Sequence, residues 1–107
     1  MAKTKTTPTE QKSYNRVQLA GRLVADPEIR DTASGKTVCR MRLATNDTRE
    51  AQFHTVVGWE ELAVACKALR KGSSVAVEGR LQHRSWEAAD GSTRYATEVV
   101  AGSLTSF

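Results

Sequence analysis

Aromatic side chains are scarce in this chain: Tyr14, Phe53, Trp59, Trp86, Tyr95 and Phe107 make up 6% of the sequence, so each needs its own account. Cysteine and proline are scarcer still, at two each. Cys39 and Cys66 lack C-x-x-C spacing, and with His54 and His83 they are scattered without the spacing of a metal site. No nucleophile with its base and no cluster of metal ligands can be assembled, so no enzyme, no cofactor and no metal are expected. There is neither a secretory leader nor an apolar run long enough to cross a membrane. The expectation is a soluble cytoplasmic protein in a reducing compartment, with no membrane partner.

Length allows one domain with a single modest core. Net charge is +4 with a pI near 9.4, a balance that a solvated surface and a polyanion partner explain equally well. Location says more than the total. Arg16, Arg22, Arg40, Arg42, Arg80 and Arg84 fall in strand-like stretches, whereas most acids fall in turns or on a helix, and that segregation favours a positive face.

Residues 1–13, MAKTKTTPTEQKS, read as a disordered, mildly basic arm, and residues 14–107 as the folded domain. From Asn15 the pattern has period 2, with Val17, Leu19, Gly21 and Leu23 on one side; Gly21 inside it predicts a bend or a close backbone approach. Ala25-Asp26-Pro27-Glu28 breaks pairing and Ala33-Ser34-Gly35-Lys36 is a turn. A second strand covers 37–45, with Cys39, Met41 and Leu43 inward and Arg40 and Arg42 outward. Residues 46–52 connect it to a third strand, which runs into a helix of about three turns over 60–72, stopped by Gly72. Residues 73–86 form a fourth strand, Asp90-Gly91 a hairpin turn, and 93–101 a fifth strand. Five strands with a helix between the third and fourth is the order of the OB-fold, a small, partly open all-β barrel with one helix that binds oligonucleotides on its strand 2 and 3 face.

The third strand, Phe53-His54-Thr55-Val56-Val57-Gly58-Trp59, sends Phe53, Thr55, Val57 and Trp59 to one face and His54 and Val56 to the other. Two large aromatics on one face fit a buried core. They equally fit a stacking platform, given arginines at alternate positions in the neighbouring strands, since stacked bases and a phosphate backbone call for rings interleaved with cations.

The stretches NRVQLAGRLVADPEIR (15–30), HTVVGWEELA (54–63), LRKGSSVAVEGRLQHRSW (69–86) and RYATEVVA (94–101) closely resemble the DNA-binding domain of bacterial single-stranded DNA-binding proteins. The resemblance implies an OB-fold, sequence-tolerant binding of single-stranded DNA at the nucleoid in replication, recombination or repair, and self-assembly, commonly as a homotetramer, with a homodimer the alternative. It assigns base stacking to Phe53, Trp59 and Trp86 and a subunit interface to His54. With the strand positions, it makes Arg22, Arg40, Arg42, Arg49, Thr55, Arg80, Arg84 and Arg94 the expected DNA contacts.

Three departures from the family pattern bear on this. Many relatives carry a further tryptophan in a longer loop after the second strand, where this chain has only Asn46-Asp47-Thr48-Arg49 and a few residues beyond. Ala76 stands where many carry a tyrosine. The chain stops at Ser106-Phe107 without a Gly/Pro-rich linker and acidic tip, so tail-mediated recruitment of other proteins is not expected. A dimeric adaptor of the primosome, related to the same family, is the alternative function.

Overall fold

The computed structural model describes residues 13–107; the expected basic arm, apart from exposed Ser13, lies outside the described residues. Strand β1 (Val17–Leu23) alternates half-buried Val17 and Leu19 with exposed Gln18 and Ala20 and ends on buried Leu23. The same period places Cys39, Met41 and Leu43 of β3 (Thr37–Thr45) inside, with Cys39 and Leu43 fully buried. Val56 of β4 (Gln52–Trp59) and Val75 of β5 (Ser74–Glu87) join them, as do Val99 and Ala101 of β6 (Thr93–Ser106). Each fully buried Leu or Val contributes about 1.5–3 kcal/mol. This core fixes strand register, because a one-residue slip would turn Arg40 and Arg42 inward.

The hydrogen-bonded order is β1-β5-β6-β4-β3-β2, and β1 also pairs β3 through Arg22↔Ala44 and Leu23↔Leu43, which closes the sheet into a barrel. Most pairings are antiparallel. β4 and β6 are parallel, aligned at Val56↔Val99 and Val57↔Val100, and the crossover they require is supplied by the helix and β5. Closure brings backbones very close: a Cβ on Gly21 would stand 1.9 Å from the Ala44 carbonyl oxygen, the close approach expected from the sequence.

Three boundaries differ from the sequence reading. The break after β1 is narrower than expected, since Glu28–Asp31 forms a short strand β2 that pairs β3 from Glu28↔Arg40 to Asp31↔Thr37. β6 continues past Ala101 to Ser106, its small polar end held by pairing to β5 at Val75↔Ser106. The helix is shorter than three turns: α1 (Glu61–Ala65) passes into a 3-10 turn at Cys66–Ala68, and Leu69 is already extended. Tertiary demands end it early. Leu69 turns into the core, while the Gly72 N–H donates to Leu23 and the Leu23 N–H to Ser73, which aligns β5 with β1.

Cys39 and Cys66 are both buried core residues, as their apolar settings suggest. The thiol contact with Cys66 and burial together push the Cys39 thiol up.

Candidate nucleic-acid interface

Pairing carries one outer face across four strands. Opposite Val38, Arg40, Arg42 and Ala44 of β3 stand Trp59, Val57, Thr55 and Phe53 of β4. Val57 aligns with Val100 of β6, and Val100 pairs Arg80 of β5; two-residue steps along the same ladder pair Gln82 with Glu98, Arg84 with Ala96 and Trp86 with Arg94. Phe53, Thr55, Trp59, Arg40, Arg42, Arg80, Arg84, Trp86 and Arg94 therefore share a face. Arg22 joins its edge through Ala44.

The rings on this face are open: Phe53 is 52% exposed, and Trp59 and Trp86 are 42% each. Val57 between them is buried, so the face has an apolar floor. Phe53 and Trp59 lie six residues apart on one strand, about 20 Å at the usual rise. Two of the three rings have a cation beside them. The Arg42 guanidinium lies 5.8 Å from the Phe53 ring centre and donates to the Thr55 hydroxyl at 3.2 Å. The Arg84 guanidinium lies 4.6 Å from the Trp86 ring centre, within cation–π range. Between Arg40 and Arg42 a hollow of about 200 Å³ is bordered by Thr55, Asp26 and Glu28.

The hairpin that carries Trp86 is pinned at its turn. Asp90 accepts from the Ser92 hydroxyl at 2.6 Å and the Ser92 N–H at 3.0 Å, which hold its carboxyl below the usual range. Arg94 donates to the Ser92 hydroxyl at 3.2 Å and pairs with Asp90 at 3.7 Å, so it stands at the hairpin tip partly engaged.

Residues 14–107 match the family described as the single-strand binding protein family. The chain belongs to that family. It is 41% identical over 100 residues to single-stranded DNA-binding protein 1 of Chlorobaculum tepidum, an alignment covering 83% of this chain and 62% of that protein. It is 44% identical over 98 residues to single-stranded DNA-binding protein 2 of Listeria innocua, covering 84% and 62%. The crystal structure of a deletion mutant of the single-stranded DNA binding protein from Thermus aquaticus superposes with a TM-score of 0.75 at 35% identity, covering 87% of this chain and 40% of that one. The chain thus spans about 60% of the length of the curated relatives it matches. The match in fold agrees with the OB order read from the sequence.

Within this family framework the remaining expected residues fall apart from the ringed face or at its edge. His54 points to the opposite side, half-buried, with its Nε2 2.9 Å from the Thr45 hydroxyl. Arg49 is exposed in the short connection between β3 and β4, at the Phe53 end. Arg22 donates to the Gly72 carbonyl at 3.3 Å. One residue of the face is absent from the expected contacts. Glu98 lies in its centre, 3% exposed, beneath Arg40 and Arg84; a lone acid in the apolar run Val99-Val100-Ala101 was the available signal. Among the described residues no group of three metal-ligating side chains converges, and no helix is long and apolar enough to cross a membrane.

Proposed function

We propose that this chain binds single-stranded DNA without strong sequence preference by stacking bases on Phe53, Trp59 and Trp86 while arginines neutralise the phosphates. The observation that carries the proposal is the placement of three half-exposed rings on one sheet face with Arg40, Arg42, Arg80, Arg84 and Arg94 among them. Rings accept any base, because every base has a π-face, and duplex DNA keeps those faces covered. Selectivity for unpaired strands follows without hydrogen-bonded readout, and the protein acts by trapping transiently melted DNA during replication, recombination or repair. The names of its relatives accord with this.

The proposal extends to assembly with further copies, most simply as a homotetramer with His54 near a subunit contact. Support comes from β1, which pairs β3 only at Arg22 and Leu23; among the described residues no strand covers that edge from Val17 to Ala20, which suits pairing with a second copy. Sizing the chain with and without dT oligomers of several lengths tests it, since a monomer under all conditions would contradict assembly.

The function itself is tested by titrating intrinsic tryptophan fluorescence with oligo-dT at several salt concentrations. Quenching on binding is expected, with affinity falling as salt rises by about 0.7 in log-log slope for each phosphate neutralised. No quenching and no salt dependence would contradict it. Arg42→Glu is expected to weaken binding and flatten that slope by about 0.7 or more, because Arg42 is exposed and its recorded partner is a neutral hydroxyl. An unchanged slope would remove Arg42 from the phosphate contacts.

A further inference from the structure

A buried carboxylate at the centre of a surface meant for a polyanion is costly unless it has a task, since an unpaired buried charge is not tolerated and a nearby acid repels phosphate. Glu98 is fully engaged. The Arg84 Nε donates to its Oε1 and the Arg84 Nη2 to its Oε2, each at 3.1 Å, a fork-on-fork pair. Arg40 reaches the same Oε2 with one Nη2 at 3.3 Å. The two arginines are therefore held unequally: Arg84 is gripped twice and lies against the Trp86 ring, while Arg40 is gripped once and is 49% exposed.

We propose that Glu98 is a positioning residue of this interface, fixing Arg84 as a plate beneath Trp86 and leaving Arg40 to exchange from Glu98 onto a phosphate. The inference rests on the single-strand-binding reading of the face and refines it. Arg84 then serves stacking, by keeping one side of the Trp86 indole occupied and the other presented to a base. Arg40 serves the backbone of the strand. The carboxylate also satisfies the charge of Arg84, so Arg84 neutralises no phosphate of its own and adds nothing to the release of the strand's counterions.

The experiment is oligo-dT titration of the full chain by tryptophan quenching across a salt series, for the unaltered protein, Glu98→Gln, Arg40→Gln and Arg84→Lys. Glu98→Gln is expected to steepen the log-log salt slope by about 0.7, because Arg84, released from its carboxylate, becomes one additional cation free to meet a phosphate. It is also expected to lose quenching amplitude and to bind about three- to tenfold more weakly at high salt, where pre-ordered stacking carries the affinity. Arg40→Gln should flatten the slope by about 0.7 with quenching kept. Arg84→Lys retains the charge and loses the fork, so the slope should stay while quenching and affinity drop.

A Glu98→Gln variant that loses the same factor at every salt concentration, or binds as the unaltered protein does, overturns the proposal. Should that variant not fold, Arg84→Lys decides: behaviour indistinguishable from the unaltered protein overturns the proposal. Failure of the unaltered chain to bind oligo-dT would instead overturn the reading of the whole face, an outcome distinguishable at the first titration.

Discussion

Trp86→Ala is expected to weaken oligo-dT binding about 5- to 150-fold while leaving the melting temperature nearly unchanged. The affinity term is the roughly 1–3 kcal/mol that stacking one base on an aromatic side chain contributes. The small effect on folding follows from position. Trp86 stands near the end of β5, opposite Arg94, on a hairpin whose turn is independently fixed by Asp90 and Ser92, and the ring is 42% exposed. Its recorded ring partner is Arg84, which keeps both hydrogen bonds to Glu98 when the indole is gone. Surface changes of this sort usually alter stability by no more than about 0.5 kcal/mol. Trp59→Ala makes a useful companion, since Trp59 is equally exposed at the opposite end of the face, paired with Val38. Anisotropy of a labelled dT oligomer, read beside thermal unfolding, measures both quantities. Unchanged affinity in the two variants with folding intact would remove the stacking role from these rings.

The legible and illegible parts of this site divide along a physical line. Alternation within one strand is a local property, so the sequence places Phe53, Thr55 and Trp59 together and turns Val56 away, and it puts Arg84 and Trp86 on one side of β5. Those placements need only the two-residue period of an extended chain. Glu98 was not legible in the same way, because its burial depends on Arg40 and Arg84 arriving from two other strands to cover it. The helix end was misjudged for a similar reason. Residues 66–72 carry helical periodicity, but Leu69 and Gly72 are claimed by the core and by β1, and tertiary pairing overrides local preference. The end of β6, Gly102-Ser103-Leu104-Thr105-Ser106, has little strand character of its own and is extended because β5 provides its partners. What is local was readable; what requires three strands to meet was not.

Gly79→Ala is expected to unfold the domain or lower its stability by about 3 kcal/mol or more, although it adds a single methyl group. A Cβ at Gly79 would stand 2.1 Å from the Val100 carbonyl oxygen, 2.9 Å from its carbon and 3.0 Å from the Ala101 Cα. All three are backbone atoms, so no side chain can rotate aside. β6 cannot retreat either, because Val100 is also aligned with Val57 on β4 and Ala101 lies in the core. The register shifts at the same spot, where Glu78 pairs Ser103 and Gly79 pairs Ala101, leaving Gly102 as an extra residue on β6, and the missing Cβ of Gly79 lets the two backbones close at that bulge. For a domain of about this size, 3 kcal/mol corresponds to a melting shift on the order of 12–24 °C. Gly102→Ala is the control: it lies on the facing strand β6, next to Ala101, and a Cβ there would come no nearer than 3.6 Å to the Glu78 carbonyl oxygen, so it should melt within a few degrees of the parent. Comparable melting of the two variants would mean that the β5–β6 crossing accommodates a side chain. The consequence for binding is direct, because Gly79 sits immediately before Arg80 and beneath the row that joins Arg80, Val100, Val57 and Arg40 across the ringed face. Prying β5 from β6 there would separate Arg84 and Trp86 from Phe53 and Trp59, so oligo-dT binding should fail together with the fold.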